Sequence, residues 1–351
     1  MRPASLAQAA LSRIMGGSRL EVLEAEALME AIVGLELEEA QIAAVLGGIE
    51  ARGVGAEELV GFASVLRRHM VAVEGAPEGA IDTCGTGGSG LSTLNTSTMA
   101  GLIASAAGAV VAKHGNRSAS GRCGSLDVLE ALGAEVDAPA VPPGKLLAEH
   151  GFAFLNARRH HPALGRVGPL RKALGFRTVF NILGPILSPA RVRRQIVGLS
   201  NARLAPAVAD ALQGLGHERA WVVTTPSGLD ELALSEQSEI LEVTPQGVRS
   251  FRVHPSELGL EPAPFSAVEG GDIETNARRL REILSGEDRG PARDHVLLNA
   301  AAALVVADLA KDLSEGLERA RAALDAGAAL RRLDAWKEGT RRAAAAEEAR
   351  P

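Results

Sequence analysis

Short apolar runs alternate with helical stretches through the middle of the chain, and this alternation constrains the fold more than any other feature. The runs are AVVAK (109–113), FAFLN (152–156), RQIVGLS (194–200), AWVVTT (220–225) and SEILEV (238–243), and stretches such as SLDVLEALG lie between them. Strands that read as continuous apolar runs are typical of sheets covered on both faces. The alternation therefore predicts an α/β fold with a central, mainly parallel sheet flanked by helices.

The N-terminal region differs, because it contains helical patterns only. Apolar residues such as Ile42, Val45 and Ile49 repeat at helical spacing, and no strand pattern interrupts them. The stretch VEGAPEGA (73–80) then has the Pro and Gly content of a linker. Because 351 residues exceed a single typical domain, we predict a small all-helical N-terminal domain at 1–72 and a large α/β domain after it.

Charge and composition argue against several classes of protein. A net charge of -6, an aromatic content of 3% and the absence of tyrosine argue against binding of nucleic acid through phosphate contacts or base stacking. The two cysteines, Cys84 and Cys123, are too few for a disulfide framework or a four-ligand zinc site. No uninterrupted apolar run reaches the length of about 18 residues that a membrane span needs. We therefore expect a cytoplasmic protein with no nucleic-acid partner and no membrane partner.

The stretch DTCGTGGSG (82–90) is a glycine-rich turn between a predicted strand and a predicted helix. Its glycines can adopt backbone angles that other residues avoid, so that consecutive N–H groups point into one concavity suited to a phosphate or pyrophosphate. Asn95, Ser97 and Thr98 follow at the predicted helix start, where free amides also attract anions. If GTGG stood alone, a tight turn would be the better interpretation. The stretch GTGGSG matches neither the dinucleotide fingerprint nor the P-loop lysine motif.

A second polar loop follows the next apolar run. The segment AKHGNRSASGRCGSLDVLEALG (112–133) places Lys113, His114, Asn116 and Arg117 close together in a stretch broken by glycines. Loops that follow parallel strands lie on the same rim of the sheet, where α/β proteins bind ligands. The first loop offers backbone N–H groups and the second offers cationic side chains. Together they predict a site for a strongly anionic ligand.

Four ordered motifs together resemble anthranilate phosphoribosyltransferases. They are GTGGSG with STLNTST, then KHGNRSASGRCGSLDVLEALG, then RKALGFRTVFNILGP, and finally GLDEL. The resemblance extends over nearly the whole chain. It implies Mg²⁺-dependent transfer of phosphoribose from phosphoribosyl pyrophosphate to the amino group of anthranilate. The leaving group is then a polyanion, so catalysis should depend on neutralising charge and aligning the substrates, without a nucleophilic side chain.

The resemblance also implies an architecture. Helices at about 163–183 would complete the small domain beside Arg171, and homodimers would form through that domain. The large phosphoribosyl pyrophosphate-binding domain would then comprise 73–162 and 184–345, followed by a tail at 346–351.

The matching motif positions define the expected site. Phosphoribosyl pyrophosphate would contact Gly85, Thr86, Gly88, Ser89, Thr93, Asn95, Ser97, Thr98, Lys113, His114, Gly115, Asn116, Arg117, Ser118, Ala119, Ser120, Gly121 and Ser125. Anthranilate would contact Gly85, His114, Asn116 and Arg171, with the Arg171 guanidinium gripping the carboxylate. Mg²⁺ would be bound by Ser97, Asp230 and Glu231, since oxygen ligands suit this cation. The residues expected to act in catalysis are Lys113, Arg171, Asp230 and Glu231.

Two positions depart from the family pattern. Ser89 stands where the family usually has Asp, and Gly121 stands where it usually has Ser. Each change removes one hydrogen-bonding group and is expected to weaken phosphoribosyl pyrophosphate binding by about three- to tenfold. The histidines show no metal-binding pattern, and we expect His69, His150, His217, His254 and His295 to be surface or capping residues.

Two other interpretations of the same motifs remain. A pyrimidine nucleoside phosphorylase has a similar glycine loop, but the KHGNR motif, Arg171 and the pair of Asp230 and Glu231 argue against it. Non-catalytic relatives that bind nucleic acid are the second alternative, and the acidic net charge together with the Mg²⁺ positions argues against these.

Overall fold

The computed structural model describes residues 3–87, 90–117, 123–138 and 141–348. The chain begins with four helices, α1 Pro3–Met15, α2 Val22–Val33, α3 Glu39–Arg52 and α4 Ala56–His69. Helices α2 and α4 pack side by side, and α1 packs on α3. Leu28, Ile32, Leu59 and Phe62 are completely or almost completely buried between them. The predicted all-helical N-terminal domain is thereby confirmed.

The remaining described residues form an α/β unit. Its strands are β1 Ile81–Gly85, β2 Val111–Gly115, β3 Phe152–Asn156, β4 Arg194–Gly198, β5 Arg219–Thr224, β6 Ser238–Thr244 and β7 Gly247–Val253. Its helices are α5 Thr96–Ala106, α6 Ser125–Ala131, α7 Pro143–His150, α8 Ala157–His160, α9 Pro162–Arg166, α10 Gly168–Leu174, α11 Val179–Ile186, α12 Ala205–Gly214, α13 Ile273–Ser285, α14 Pro291–Val306, α15 Leu313–Asp325 and α16 Ala328–Glu348. Helix α16 continues past 346, where the tail was predicted to start.

The seven strands form one sheet in the order β3-β2-β1-β4-β5-β6-β7. Strands β1 to β5 are parallel, whereas β6 and β7 pair antiparallel as a hairpin at one edge. The prediction of a mainly parallel sheet flanked by helices is confirmed. Strand β7 escaped prediction because it is an edge strand, and most of its side chains, in GVRSFRV, are partly or fully exposed.

The strand order places a ligand-binding edge beside β1. Strands β2 and β3 follow β1 on one side of it, whereas β4 and the later strands lie on its other side. The direction in which strands are added to the sheet therefore reverses between β1 and β4. In open α/β sheets, ligands bind outside the carboxyl ends of the strands at such a point. The carboxyl ends here are Gly85 of β1, Gly115 of β2 and Gly198 of β4. The predicted glycine and KHGNR loops both leave this edge.

Helices α9 to α11 pack against the N-terminal helices. Ala163, Val167, Phe180 and Leu183 are buried in the same apolar cluster as Leu59 and Phe62. This packing supports our proposal that the small domain is completed by about 163–183. Among the described residues, no helix is both long enough and apolar enough to cross a membrane.

A buried histidine makes the folded state sensitive to acid. His217 is only 3% exposed, and its ring Nδ1 lies 2.9 Å from the carbonyl oxygen of Leu212. Burial, together with the charges of Arg67 and Arg193, lowers the pKa of His217 to about 4. The unfolded chain therefore takes up a proton here at a higher pH than the folded chain does.

We expect the free energy of unfolding to fall as the pH is lowered from about 6.5 to about 4, with His217 contributing up to roughly 3 kcal/mol of the loss. Denaturant titrations of the protein and of His217→Gln across this range measure the contribution. The variant should show a shallower decline. An identical decline in both proteins would show that His217 does not contribute.

Candidate functional site

A cavity of about 770 Å³ opens at the carboxyl edge of the sheet. It brings together all four sequence motifs, although they are far apart along the chain. The predicted site residues that line it are Gly85, Thr86, Thr93, Asn95, Ser97, Lys113, His114, Gly115, Asn116, Ser125, Arg171, Asp230 and Glu231. The predicted positions Gly88, Ser89, Ser118, Ala119, Ser120 and Gly121 lie outside the described residues.

The glycine loop packs closely against Asp230. A side chain at Gly85 would overlap the Asp230 carboxylate, so glycine at the end of β1 leaves room for that carboxylate. Gly87, with a φ of 60°, donates its backbone N–H to Asp230 Oδ2 over 2.7 Å. The loop thus provides both space and an amide donor. Arg177 Nη1 anchors the other side of the loop by donating to the Gly87 carbonyl oxygen over 2.8 Å.

Two adjacent carboxylates, Asp230 and Glu231, face the cavity. Burial and the charge of Glu231 raise the pKa of Asp230 to about 6, while the Gly87 N–H and Arg177 act in the opposite direction. The pair therefore carries negative charge that the surrounding protein does not fully compensate. Such a pair, with the Ser97 hydroxyl lining the same cavity, has the oxygen donors that suit Mg²⁺.

The two carboxylates and the Ser97 hydroxyl are too few ligands to hold a metal ion without further ligands from a substrate or water. Among the described residues, no group of three His, Cys, Asp or Glu side chains has the geometry to bind a metal ion. Mg²⁺ commonly uses one or two carboxylates together with substrate phosphates and water. The two carboxylates and one hydroxyl therefore fit a cation that arrives with a phosphorylated ligand.

Lys113 places a buried positive charge beside the cavity. The side chain is 3% exposed, and its Nζ donates to the carbonyl oxygen of His114 over 2.7 Å. Asp82 lies beneath it and accepts the backbone N–H of His114 over 3.0 Å. Burial raises the pKa of Asp82 to about 7, with the charge of Lys113 opposing this shift.

Two histidine rings form an uncharged part of the cavity wall. The ring centroids of His114 and His161 lie 5.2 Å apart. Burial lowers the pKa of His114 well below its usual value and that of His161 to about 4. Within the described part of the chain, neither ring nitrogen of His114 has a hydrogen-bond partner. Both rings are therefore neutral at physiological pH and suit a flat aromatic ligand.

Arg171 on α10 is a cation that lines the cavity and is available to a ligand carboxylate. Its guanidinium lies 5.3 Å from the centroid of the Phe180 ring. No acidic side chain in the described residues pairs with it, and burial lowers its pKa. A desolvated guanidinium on the cavity wall that lacks a protein carboxylate is well suited to bind one from a ligand.

Two predicted contacts lie elsewhere. Thr98 is fully buried inside α5. Arg117 is held by three carboxylates, those of Asp127, Glu130 and Asp137, at 2.6–3.2 Å. The structure therefore directs Arg117 away from the cavity, because these acids already satisfy its guanidinium.

Asn95 occupies the position before α5 but does not cap it, and its Oδ1 accepts a hydrogen bond from Asn276 Nδ2 over 3.2 Å.

Several cavity residues escaped the sequence analysis. They include His161, Leu164, Phe180, Asn181 and Pro185, all from the largely helical segment that follows β3. Their pattern is that of ordinary helix residues, and only the position of RKALGFRTVFNILGP beside Arg171 indicated this segment. The expectation of a surface or capping position was wrong for His295, which is buried and bonded to Glu231. His217 is also buried, but it does cap α12, since its Nδ1 lies 2.9 Å from the carbonyl oxygen of Leu212 in the last turn of that helix. Their apolar surroundings come from helices and strands distant in sequence.

Comparisons with known proteins agree with this geometry. A model described as the glycosyl transferase family a/b domain matches residues 77–330, and one described as the helical bundle domain of that family matches residues 8–70. An anthranilate phosphoribosyltransferase of Novosphingobium aromaticivorans is 46% identical over 317 residues, covering 90% of this chain and 96% of the relative.

Solved structures of the same enzyme superpose over almost the whole chain. The crystal structure of anthranilate phosphoribosyltransferase from Thermus thermophilus has a TM-score of 0.89 at 38% identity, covering 95% of this chain and 99% of its own. The Saccharomyces cerevisiae enzyme in complex with phosphoribosyl pyrophosphate and Mg has a TM-score of 0.87 at 27% identity, covering 97% and 98%. The yeast enzyme has also been solved in complex with 4-fluoroanthranilate, with a TM-score of 0.85 at 28% identity and the same coverage.

Proposed function

The chain belongs to the anthranilate phosphoribosyltransferases, and from this we propose that it transfers the 5-phosphoribosyl group of phosphoribosyl pyrophosphate to the amino group of anthranilate. The products are N-(5-phosphoribosyl)anthranilate and pyrophosphate, and the reaction is the second step of tryptophan biosynthesis from chorismate. The observation that carries the proposal is a single cavity that combines the glycine loop, the acidic pair and the unpaired guanidinium of Arg171.

The phosphate end of the substrate belongs beside the glycine and KHGNR loops. The proposed contacts are the loop amides, Asn95, Ser125 and the buried ammonium of Lys113, which line the same cavity. Ser97, Asp230 and Glu231 would hold Mg²⁺, which neutralises the pyrophosphate leaving group when bound. These residues orient the polyanion and concentrate positive charge where negative charge develops on the leaving group.

The anthranilate end of the cavity needs a carboxylate anchor and a flat wall. Arg171 is the proposed anchor, and the neutral rings of His114 and His161 with Asn116 are proposed to contact the aromatic amine. An aromatic amine attacks through its own lone pair, so no protein base has to remove a proton first. The cavity residues chiefly align the nitrogen with the sugar carbon and keep out water that would trap the sugar cation.

Loss of anthranilate fluorescence tests the proposed reaction. The protein is mixed with anthranilate, phosphoribosyl pyrophosphate and Mg²⁺, and each component is omitted in turn. We expect fluorescence to fall only in the complete mixture. A parallel reaction contains uridine or thymidine with inorganic phosphate, and release of the free base there without loss of anthranilate fluorescence would indicate a nucleoside phosphorylase instead.

Ser89→Asp tests the departure in the glycine loop. The added carboxylate restores an acceptor for a ribose hydroxyl or for Mg²⁺-bound water, and such a hydrogen bond contributes roughly 0.5–1.5 kcal/mol. We expect the KM for phosphoribosyl pyrophosphate to fall by about three- to tenfold while the KM for anthranilate is unchanged. Steady-state titration of each substrate measures both values. An unchanged KM for phosphoribosyl pyrophosphate would show that Ser89 costs no binding energy.

We also propose that the protein forms a homodimer through the small helical domain and acts in the cytoplasm. Three large apolar side chains of this domain are exposed, Met15, Leu23 and Leu35. Exposed apolar side chains indicate an interaction surface where they form a contiguous patch. Light scattering should give twice the mass of the 36.3 kDa chain, and Leu23→Lys should shift it toward the monomer. A monomeric wild-type protein would contradict the dimer.

A further inference from the structure

We propose that His295 is a positioning residue that holds the Glu231 carboxylate in place for the cation. The inference rests on the proposed function, in which Glu231 binds Mg²⁺ together with Asp230. It assigns a role to a residue that lies outside the four sequence motifs and does not line the cavity.

The contact joins a buried ring to a carboxylate at the edge of the cavity. His295 lies on α14 with no exposed surface, and its Nε2–H donates to Glu231 Oε2 over 3.0 Å. An imidazole Nε2–H can donate to a carboxylate whether or not the ring carries a second proton. The positioning role therefore follows from geometry and does not depend on titration of the ring.

The other oxygen of Glu231 remains available to a ligand. In the described part of the chain, Oε1 accepts no hydrogen bond, and the Glu231 side chain is 11% exposed at the cavity. Glutamate has three rotatable side-chain bonds and loses much of its freedom when it binds a metal. A hydrogen bond that already fixes one oxygen removes part of that cost and presents the second oxygen in a defined direction.

Asn299, one turn further along α14, fixes the backbone of the same segment. Its Oδ1 accepts the N–H of Leu232 over 3.0 Å, and its Nδ2 donates to the carbonyl oxygen of Leu232, also over 3.0 Å. Residues four apart lie on the same face of a helix. Helix α14 thus presents two polar side chains to one short segment, with Asn299 holding its main chain and His295 its carboxylate.

The two carboxylates of the pair are consequently held by different parts of the fold. The glycine loop fixes Asp230 through the Gly87 N–H, whereas α14 fixes Glu231 through His295. His295 Nδ1 has no partner among the described residues, so the ring is not part of a longer hydrogen-bond chain there. Its one polar contact in this region is the bond to Glu231, which explains a polar ring in an otherwise apolar environment.

The test compares variants that keep or remove the donor. His295→Gln places an amide N–H near the position of Nε2, His295→Leu has no donor, and His295→Asn has a donor that is too short to reach Glu231. Binding of Mn²⁺ to the protein in the presence of phosphoribosyl pyrophosphate is measured by electron paramagnetic resonance at one pH. Activity is measured in parallel as a function of Mg²⁺ concentration.

We expect His295→Leu and His295→Asn to weaken Mn²⁺ binding by about 10- to 100-fold, the range found when partners of metal ligands are removed. His295→Gln should stay within about threefold of the wild type by the same reasoning. The Mg²⁺ concentration for half-maximal activity should shift in parallel, while the KM for anthranilate is unchanged. Thermal unfolding confirms that each variant is folded.

His217→Leu is the matched control, because His217 is also a buried histidine with one ring nitrogen bonded and the other without a partner in the described residues. It bonds to Leu212 and precedes β5, whereas the acidic pair follows the other end of that strand. It should leave Mn²⁺ binding unchanged. If the wild type transfers phosphoribose but His295→Leu binds Mn²⁺ as tightly as the wild type, or if His295→Gln is as weak as His295→Leu, the inference is wrong. If the wild type neither transfers phosphoribose nor binds Mn²⁺, the proposed function fails and the inference fails with it.

Discussion

Asp230→Asn is expected to reduce kcat/KM for phosphoribosyl pyrophosphate by roughly 100- to 1,000-fold and to raise the Mg²⁺ concentration required for half-maximal activity. The substitution keeps the shape of the side chain, and the amide oxygen can still accept the Gly87 N–H that lies 2.7 Å from Asp230 Oδ2. What is lost is one of the two negative charges proposed to hold the cation. Rate measurements across a Mg²⁺ titration determine both quantities.

The same substitution should not destabilise the fold. Burial and the charge of Glu231 raise the pKa of Asp230 to about 6, so the ionised pair is under mutual repulsion in the free protein. Removing one charge relieves that repulsion, and we expect an equal or higher unfolding temperature. Asp325→Asn, on an acid of α15 that is paired with Arg293, is the control and should not change the Mg²⁺ requirement. An unchanged requirement in Asp230→Asn would exclude Asp230 from the metal site.

Arg171→Ala is expected to raise the KM for anthranilate by roughly 10- to 100-fold, because hydrogen bonds to a charged partner contribute about 1.5–3 kcal/mol. The guanidinium lies over Phe180 on the cavity wall and has no carboxylate partner in the described residues. The KM for phosphoribosyl pyrophosphate should change little, since the proposed phosphate contacts lie on other loops. Steady-state kinetics with each substrate varied in turn separates the two values.

Neighbouring substitutions sharpen this test. Lys172→Ala removes an adjacent, exposed cation from the same helix and should leave both KM values unchanged. Arg171→Lys keeps the charge but loses the planar pair of donors, so it should recover only part of the anthranilate binding. Equal increases in both KM values for Arg171→Ala would argue against a carboxylate anchor and in favour of a general effect on the cavity.

The central strands were predictable because buried parallel strands need apolar side chains on both faces. The run FAFLN coincides with β3 Phe152–Asn156, and the run at 109–113 differs from β2 by two residues. An edge strand has no such requirement, and β7 with its exposed Arg249 and Arg252 therefore carried no apolar pattern. Whether a strand lies at the centre or at the edge of the sheet therefore decides whether its apolar pattern can be recognised from the sequence.

The cavity was predictable where a chemical motif follows a strand. The glycine loop, Lys113 and Asp230 all lie at the carboxyl edge that the alternation of strands and helices implies. Side chains whose role depends on long-range packing were missed. His161 and Phe180 line the cavity from a segment whose helices also pack on the small domain, and no local spacing indicates that arrangement.

His295 illustrates the same limit. On its own, a histidine in a helix gives no indication of which neighbour it contacts. The available indication was the spacing of His295 and Asn299, two polar residues four apart on a helix that is otherwise apolar from Val296 to its end. Polar residues on such a helix need buried partners, but only the folded structure identifies Glu231 and Leu232 as those partners.

The most direct test of the proposed reaction counts both products in one experiment. Anthranilate consumed and pyrophosphate released are measured together, and the aromatic product is identified by its mass. We expect one pyrophosphate per anthranilate, formation only when phosphoribosyl pyrophosphate and Mg²⁺ are both present, and a product with the mass of N-(5-phosphoribosyl)anthranilate. Release of pyrophosphate at the same rate without anthranilate, or no consumption of anthranilate in the complete mixture, would contradict the proposed function.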